Sequence, residues 1–221
     1  MKNAHKPLLG FAAFSGTGKT TLLEQLIPLL IKTGLNVALI KHSHHNFEID
    51  KPGKDSYRLR AAGASPVMLV SSHRHAIITE FKTIKEPQLD EQLLALDQSE
   101  LDLVLVEGFK AENFPKIELH RPSLQKPLLF PDDPNIIAIA TDVELSIADI
   151  SQQTIPTPLN LNCPNQIATF IINNFLGQKM TDLCSIEPKG LLTIKQALEK
   201  IRNSISPING SERVVLKNVL N

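Results

Sequence analysis

The stretch "LLGFAAFSGTGKTTLLEQLIPLL", residues 8–30, decides how the rest of the chain is read. A strand-length apolar run over 8–14 breaks into Ser15-Gly16-Thr17-Gly18-Lys19-Thr20. It resumes with Leu22, Leu23, Leu26, Ile27, Leu30 and Ile31 at helical intervals, and Gly34 is placed to end the helix. Pro28 is expected to bend it.

The break matches the phosphate-loop pattern of Gly, four residues and Gly-Lys-Ser/Thr at every position but the first, where Ala13 stands. Gly16 and Gly18 let successive amides converge on phosphate oxygens, helped by the positive end of the following helix. Ser15, Gly16, Thr17, Gly18, Lys19, Thr20 and Thr21 are therefore the candidate nucleotide-binding residues. Lys19 neutralises the terminal phosphates and serves as a catalytic candidate, while the Thr20 hydroxyl is a candidate Mg²⁺ ligand.

Outward from this loop, apolar runs of strand length recur at 36–40, 66–71, 101–108 and 136–140, separated by helical patterns. Runs apolar on both faces and alternating with helices predict an α/β fold with a mostly parallel sheet covered by helices on both faces, a P-loop NTPase architecture. Helices are expected over 55–62, with Asp55 as N-cap and Gly63 as stop, over 88–98 and over 164–176. "KIELHR" (116–121) reads as an extra short strand, and the proline-containing segment 122–134 as a loop. After Gly177 a linker over 177–189 leads to a segment 190–221 that carries an amphipathic helical pattern from Thr193 to Ile205.

Composition narrows the function. In 221 residues, Lys plus Arg and Asp plus Glu both total 23, so no global field favours nucleic acid or an anionic membrane. Cys163 and Cys184 match neither a redox pair nor a zinc spacing, which fits a reducing cytoplasm. No apolar run is long enough to span a bilayer.

A phosphate loop needs an acid on a neighbouring strand to support Mg²⁺, and "LDLVLVEGF" ends a strand in Glu107-Gly108. Glu107 is the catalytic and metal-supporting candidate; read alone, it is an ordinary strand-end acid. Asp142 ends the strand "NIIAIATD". Its carboxylate can accept the paired N1–H and N2–H donors of guanine, or it can equally be a turn acid. The loop after the second strand places Lys41, His42, His44, His45, Asp50, Lys51 and Lys54 near the mouth of the cradle. Lys41, His42 and Lys54 are candidate anion contacts; a histidine metal site and a merely solvated connection are the competing readings.

"FSGTGKTTLL", "LIKHSHH", "DKPGKDSYRLRAAGA", "LVEGFK" and "IAIATDV", in this order, resemble the MobB family of molybdopterin-guanine dinucleotide biosynthesis adapter proteins over residues 6–176. The resemblance implies a dimeric, Mg²⁺-dependent GTP-binding protein with weak GTPase activity. It also implies assistance to the guanylyltransferase MobA as GMP is attached to molybdopterin, and a family tolerance of Ala13. "GLLTIKQALEKIRNSISPINGSERVVLKNVLN" (190–221) resembles the opening of the molybdotransferase MoeA and is read as the start of a fusion cut short, with no activity of its own.

The expected function is thus a GTP-binding adapter of molybdenum cofactor maturation, whose domain covers 1–176. A P-loop small-molecule kinase and a nucleotide-stabilised interaction module without turnover are the alternatives.

Overall fold

The computed structural model describes residues 1–43, 47–143 and 156–177. Contacts divide the chain into units Met1–Leu183 and Cys184–Asn221, and every described residue belongs to the first. The expected linker and the 190–221 segment lie outside the described residues.

Six parallel strands form the main sheet in the order β2-β5-β1-β6-β7-β8. They are β1 (Leu8–Ala12), β2 (Val37–Lys41), β5 (Leu103–Glu107), β6 (Lys116–His120), β7 (Ile136–Thr141) and β8 (Thr157–Asn160). Because every pairing is parallel, the carboxyl ends of all six strands open on one edge, where α/β folds bind ligands. The phosphate loop, Lys41, Glu107, Arg121 and Asp142 all follow or end these strands on that edge.

Alternation along β1 and β5 divides the core. Leu9, Phe11, Leu103 and Leu105 pack with Leu22, Leu23, Leu26 and Leu30 of α1 (Lys19–Lys32) and with Ile167, Ala168 and Phe170 of α4 (Pro164–Phe170). Leu8, Val104 and Val106 face the other way, against Leu89 and Leu93 of α3 (Leu89–Ala95). Helices thus cover both faces, as the two-sided apolar runs predict.

β6 carries Lys116 and Glu118 into this interior, and both are answered. Lys116 Nζ donates to Asp133 Oδ2 at 2.9 Å and to the Glu112 carbonyl at 2.7 Å. The Glu118 carboxylate accepts the amides of Leu129 and Phe130 at 2.8 and 2.9 Å. Burial still pushes the Glu118 carboxyl up, against these two hydrogen bonds. Together they fasten the loop after β6, the segment that Arg121 opens.

Several elements differ from expectation. The 66–71 run does not enter the parallel sheet: β3 (Val67–Val70) pairs antiparallel with β4 (His75–Ile78) in a separate two-stranded sheet. The reason is local. Ser71 N–H donates to the Arg74 carbonyl, closing a tight turn that folds β4 back onto β3 as its antiparallel partner. β4 and β8 are short, and no periodic apolar run announces either. Asp55 is the first residue of α2 (Asp55–Ala61) rather than its cap, which is Lys54. The closing helix passes from α4 into a π-helical turn over Ile171–Phe175.

Candidate functional site

The cradle forms where the 8–14 run stops being strand, after Ala12. Gly16 and Gly18 take φ values of 81° and 100°, the left-handed region that lets amides turn inward on one centre. Gly18 precedes a 14-residue helix with no side-chain cap, so the first amides of α1 are left for an anion. Ser15 and Gly16 lie exposed at the mouth, and Thr20 and Thr21 are exposed on the first helical turn. Thr17 is buried, and its hydroxyl donates to the Phe14 carbonyl at 2.8 Å, bracing the loop from within.

Lys19 folds back over the loop, its Nζ 3.4 Å from the Ala13 carbonyl and 3.5 Å from that of Phe14. Its pKa is lowered by burial first, then by Lys110, with Glu107 pulling the other way and Lys41 adding to the decrease. The ammonium is thus held where it is under-compensated, and a bound anion relieves that.

Glu107 ends β5, beside β1, and Lys41 Nζ lies 3.2 Å from its Oε2. After Glu107 the chain turns through Gly108 at φ 104° and Phe109 at φ 50°. A Cβ on Gly108 would fall 2.6 Å from the His42 Cβ, so only glycine fits this approach. The turn stacks Phe109 on the His42 ring, with centroids 4.6 Å apart, and returns Lys110 so that its Nζ donates to the Ala13 carbonyl. The Lys110 and Lys126 ammonium groups also lie over the Phe14 ring, at 5.5 and 6.0 Å.

The structure therefore brings Lys19, Lys41 and Glu107 together and adds Lys110. His42 packs between Phe109 and Gly108, with Nε2 3.6 Å from Glu86 Oε1. Lys54 is exposed at the start of α2, and His44 and His45 lie outside the described residues. The oxygen donors at the loop, the Thr20 hydroxyl and the Glu107 carboxylate, suit a hard cation that keeps water and phosphate oxygens. Among the described residues, no group of three or more His, Cys, Asp or Glu could hold a metal.

Asp142 follows β7 and meets Arg121, which follows β6: Arg121 NH1 donates to Asp142 Oδ2 at 2.6 Å, and Nε donates to the Thr17 carbonyl at 3.0 Å. Asp142 Oδ1 is buried and has no hydrogen-bond partner among the described residues. Sequence reasoning assigns Arg121 no role. The available signal is its position, immediately after a strand whose carboxyl end opens on the ligand edge.

A family model described as "Molybdopterin guanine dinucleotide synthesis protein B" (MobB) matches residues 8–142. A molybdopterin-guanine dinucleotide biosynthesis adapter protein of Haemophilus influenzae is 49% identical over 172 residues, 77% of this chain and 90% of that protein. Its namesake in Escherichia coli is 47% identical over 169 residues, 75% of this chain and 91% of that one. The fold is similar to a crystal structure of molybdopterin-guanine biosynthesis protein B, with a TM-score of 0.57 at 24% identity over 75% of this chain and 98% of that one. It is also similar to a MobB homologue from Bacillus stearothermophilus, with a TM-score of 0.54 at 22% identity over 77% and 99%.

Proposed function

Since the chain belongs to the MobB family, we propose that it works as a GTP-binding adapter in the synthesis of molybdopterin guanine dinucleotide, with residues 1–176 as the working domain. The observation that carries the nucleotide half of this reading is the uncapped start of α1 behind Gly16 and Gly18, with Lys19 folded over the loop beside Glu107. The pathway half is supported by the names of the curated relatives, which are adapter proteins of that synthesis.

In this reading the loop amides and Lys19 hold the phosphates, and Thr20 and Glu107 hold or support Mg²⁺. The ion, when bound, offsets phosphate charge. Lys41 keeps Glu107 oriented, and Lys110 fixes the Ala13 carbonyl at the base of the cradle. Turnover is expected to be slow, because no water-positioning side chain can be assigned among the described residues.

The partners proposed are a MobA-like guanylyltransferase, a MoeA-like molybdotransferase, molybdopterin and a second copy of the chain. For the homodimer, support comes from the β3–β4 sheet, where Met68 and Val70 are 58% and 72% exposed and Ile77 is 54% exposed. Met68 and Ile77 lie directly opposite each other on one face, and an isolated hairpin is marginal without a covering layer. Among the described residues no helix is long and apolar enough to cross a membrane. A cytoplasmic setting belongs to the same proposal.

Calorimetry of GTP and ATP with Mg²⁺ on the full chain, with Lys19→Ala as control, tests this reading. The expected result is binding that prefers GTP and is lost in the variant. Product analysis then separates the kinase alternative: phosphate transferred to an acceptor rather than released as inorganic phosphate would replace the adapter reading.

A further inference from the structure

An open cleft of about 190 Å³ continues from the cradle, lined in part by Gly18, Thr21, Gln25, Arg121, Leu161 and Asn162. It shares Gly18 and Thr21 with the start of α1, so this space has room for the nucleoside of a nucleotide whose phosphates sit in the loop. Leu161 and Asn162 follow β8, which places the far wall of the cleft two strands beyond Arg121. Arg121 lines the cleft, whereas Asp142 is not among its lining residues.

We propose that Arg121 is the residue that reads the purine, through the O6 and N7 acceptors of guanine, and that Asp142 positions Arg121 rather than meeting the base itself. The inference rests on the GTP-binding reading above.

The guanidinium is held from two sides. Its Nε donates to the Thr17 carbonyl at 3.0 Å and its NH1 to Asp142 Oδ2 at 2.6 Å. A guanidinium has five N–H donors in a rigid fork, so the two bonds that fix its plane leave, among the described residues, both N–H groups of NH2 and the second of NH1 uncommitted, a parallel pair at the end of the fork. NH2 faces the helix start, 3.9 Å from where a Cβ on Gly18 would sit.

A guanidinium paired with two acceptors on one purine edge is the commonest specific contact to guanine, and adenine breaks the match by presenting an N6 donor in place of O6. Asp142 is poorly placed for the direct reading. One of its oxygens already accepts from Arg121, and the other is buried, so both N1–H and N2–H could not reach a free carboxylate without dismantling this pair. The ion pair therefore acts as the mount of the reading group. It also ties that group to the phosphate loop through the Thr17 carbonyl.

Nucleotide analogues tell the two edges apart, using the full chain, Mg²⁺ and calorimetry. Wild type is expected to bind inosine triphosphate, which keeps O6 and N7 but lacks the N2 amine, about as well as GTP. It should bind 7-deaza-GTP, which lacks N7, roughly tenfold or more weakly. In Arg121→Ala that penalty and the preference for GTP over ATP should both disappear, while the affinity for tripolyphosphate, whose loop loses only the Thr17 brace, falls much less than that for GTP. Arg121→Lys, which keeps the charge but loses the fork, should lose most of the preference too.

Three results overturn the proposal. Weak inosine triphosphate with full-strength 7-deaza-GTP would return the reading to a carboxylate at the N1–N2 edge. An Arg121→Ala variant that weakens GTP, ATP and tripolyphosphate alike would make Arg121 a phosphate contact. Unchanged GTP preference in Arg121→Ala would leave it no role in selection. If wild type binds no nucleotide at all, the GTP-binding reading fails first and takes this one with it; if it binds and prefers GTP, only the Arg121 results decide.

Discussion

Residues 8–30 and residues 47–88 are both rich in apolar side chains, yet the first stretch supplies much of the core and the second contributes no buried residue. The difference lies in what covers each. β1 is flanked by β5 and β6 and sandwiched between helices, so Leu8, Leu9 and Phe11 are buried whichever way they point. β3 has one partner, β4. Val67 and Leu69 are half-buried, while Met68 and Val70 point outward. An apolar run on both faces specifies two covering layers, and among the described residues the hairpin has at most one. In the proposed function the covered half takes the ligand and the exposed half meets another surface.

The sharpest way to break this division is at the ligand end. Lys19→Ala is expected to reduce the affinity for Mg²⁺-bound tripolyphosphate by roughly a hundredfold, the upper range for losing charge-assisted hydrogen bonds. Calorimetry checks this, and the melting temperature without ligand should stay within a degree or two, since Lys19 is only half-buried and contributes little to the core. A variant that binds unchanged would leave the loop a mere turn.

At the other end, the proposed homodimer predicts that wild type is dimeric at micromolar concentration and that Met68→Lys with Ile77→Lys is monomeric, read by light scattering after gel filtration; a monomeric wild type would remove the homodimer proposal. Both side chains are more than half exposed in the single chain, so the monomer's own fold has little to lose. Tripolyphosphate affinity should be retained. If the double variant stays dimeric, the hairpin is not the covering face, and the exposed apolar residues need a different partner.

The same contrast explains what could be read in advance. The cradle is local: Gly16, Gly18, Lys19 and Thr20 sit within one turn of each other, so spacing alone carries the chemistry. The place of Glu107 at the end of a strand was legible because the run before it is continuous and the turn after it is marked by glycine. Arg121 and Lys110 were not, because their positions depend on β6 and β5 lying on either side of β1, a consequence of strand order that no sequence window contains. β8 was invisible for another reason. Thr157-Pro158-Leu159-Asn160 is a short edge strand with one buried residue, and the sheet rather than its own pattern holds it. The hairpin misled because its apolar run looks like a core strand until the Ser71–Arg74 turn folds it onto β4.

The smallest expected effect concerns protons, and it tests whether the cradle is as strained without ligand as its geometry implies. Burial, Lys110 and Lys41 lower the Lys19 pKa from 10.5 in the free protein, with only Glu107 opposing them. A bound polyphosphate brings several negative charges to the same ammonium and raises its pKa again. Between the free and bound values, binding must therefore take up a proton, and affinity falls as pH rises through that window. Below the free-state value Lys19 is charged in both states and contributes no pH dependence. Titrating with tripolyphosphate removes the guanine N1 ionisation from the signal. Repeating the titration in two buffers of different ionisation enthalpy counts the protons directly, and uptake attributable to Lys19 should rise towards about one per site on the alkaline side. Lys19→Arg keeps the charge at every accessible pH and should abolish that uptake, whatever it does to affinity. Equal proton uptake in wild type and Lys19→Arg would mean that the ligand's own ionisations account for it, and that Lys19 gains nothing from the anion that the free protein did not already supply.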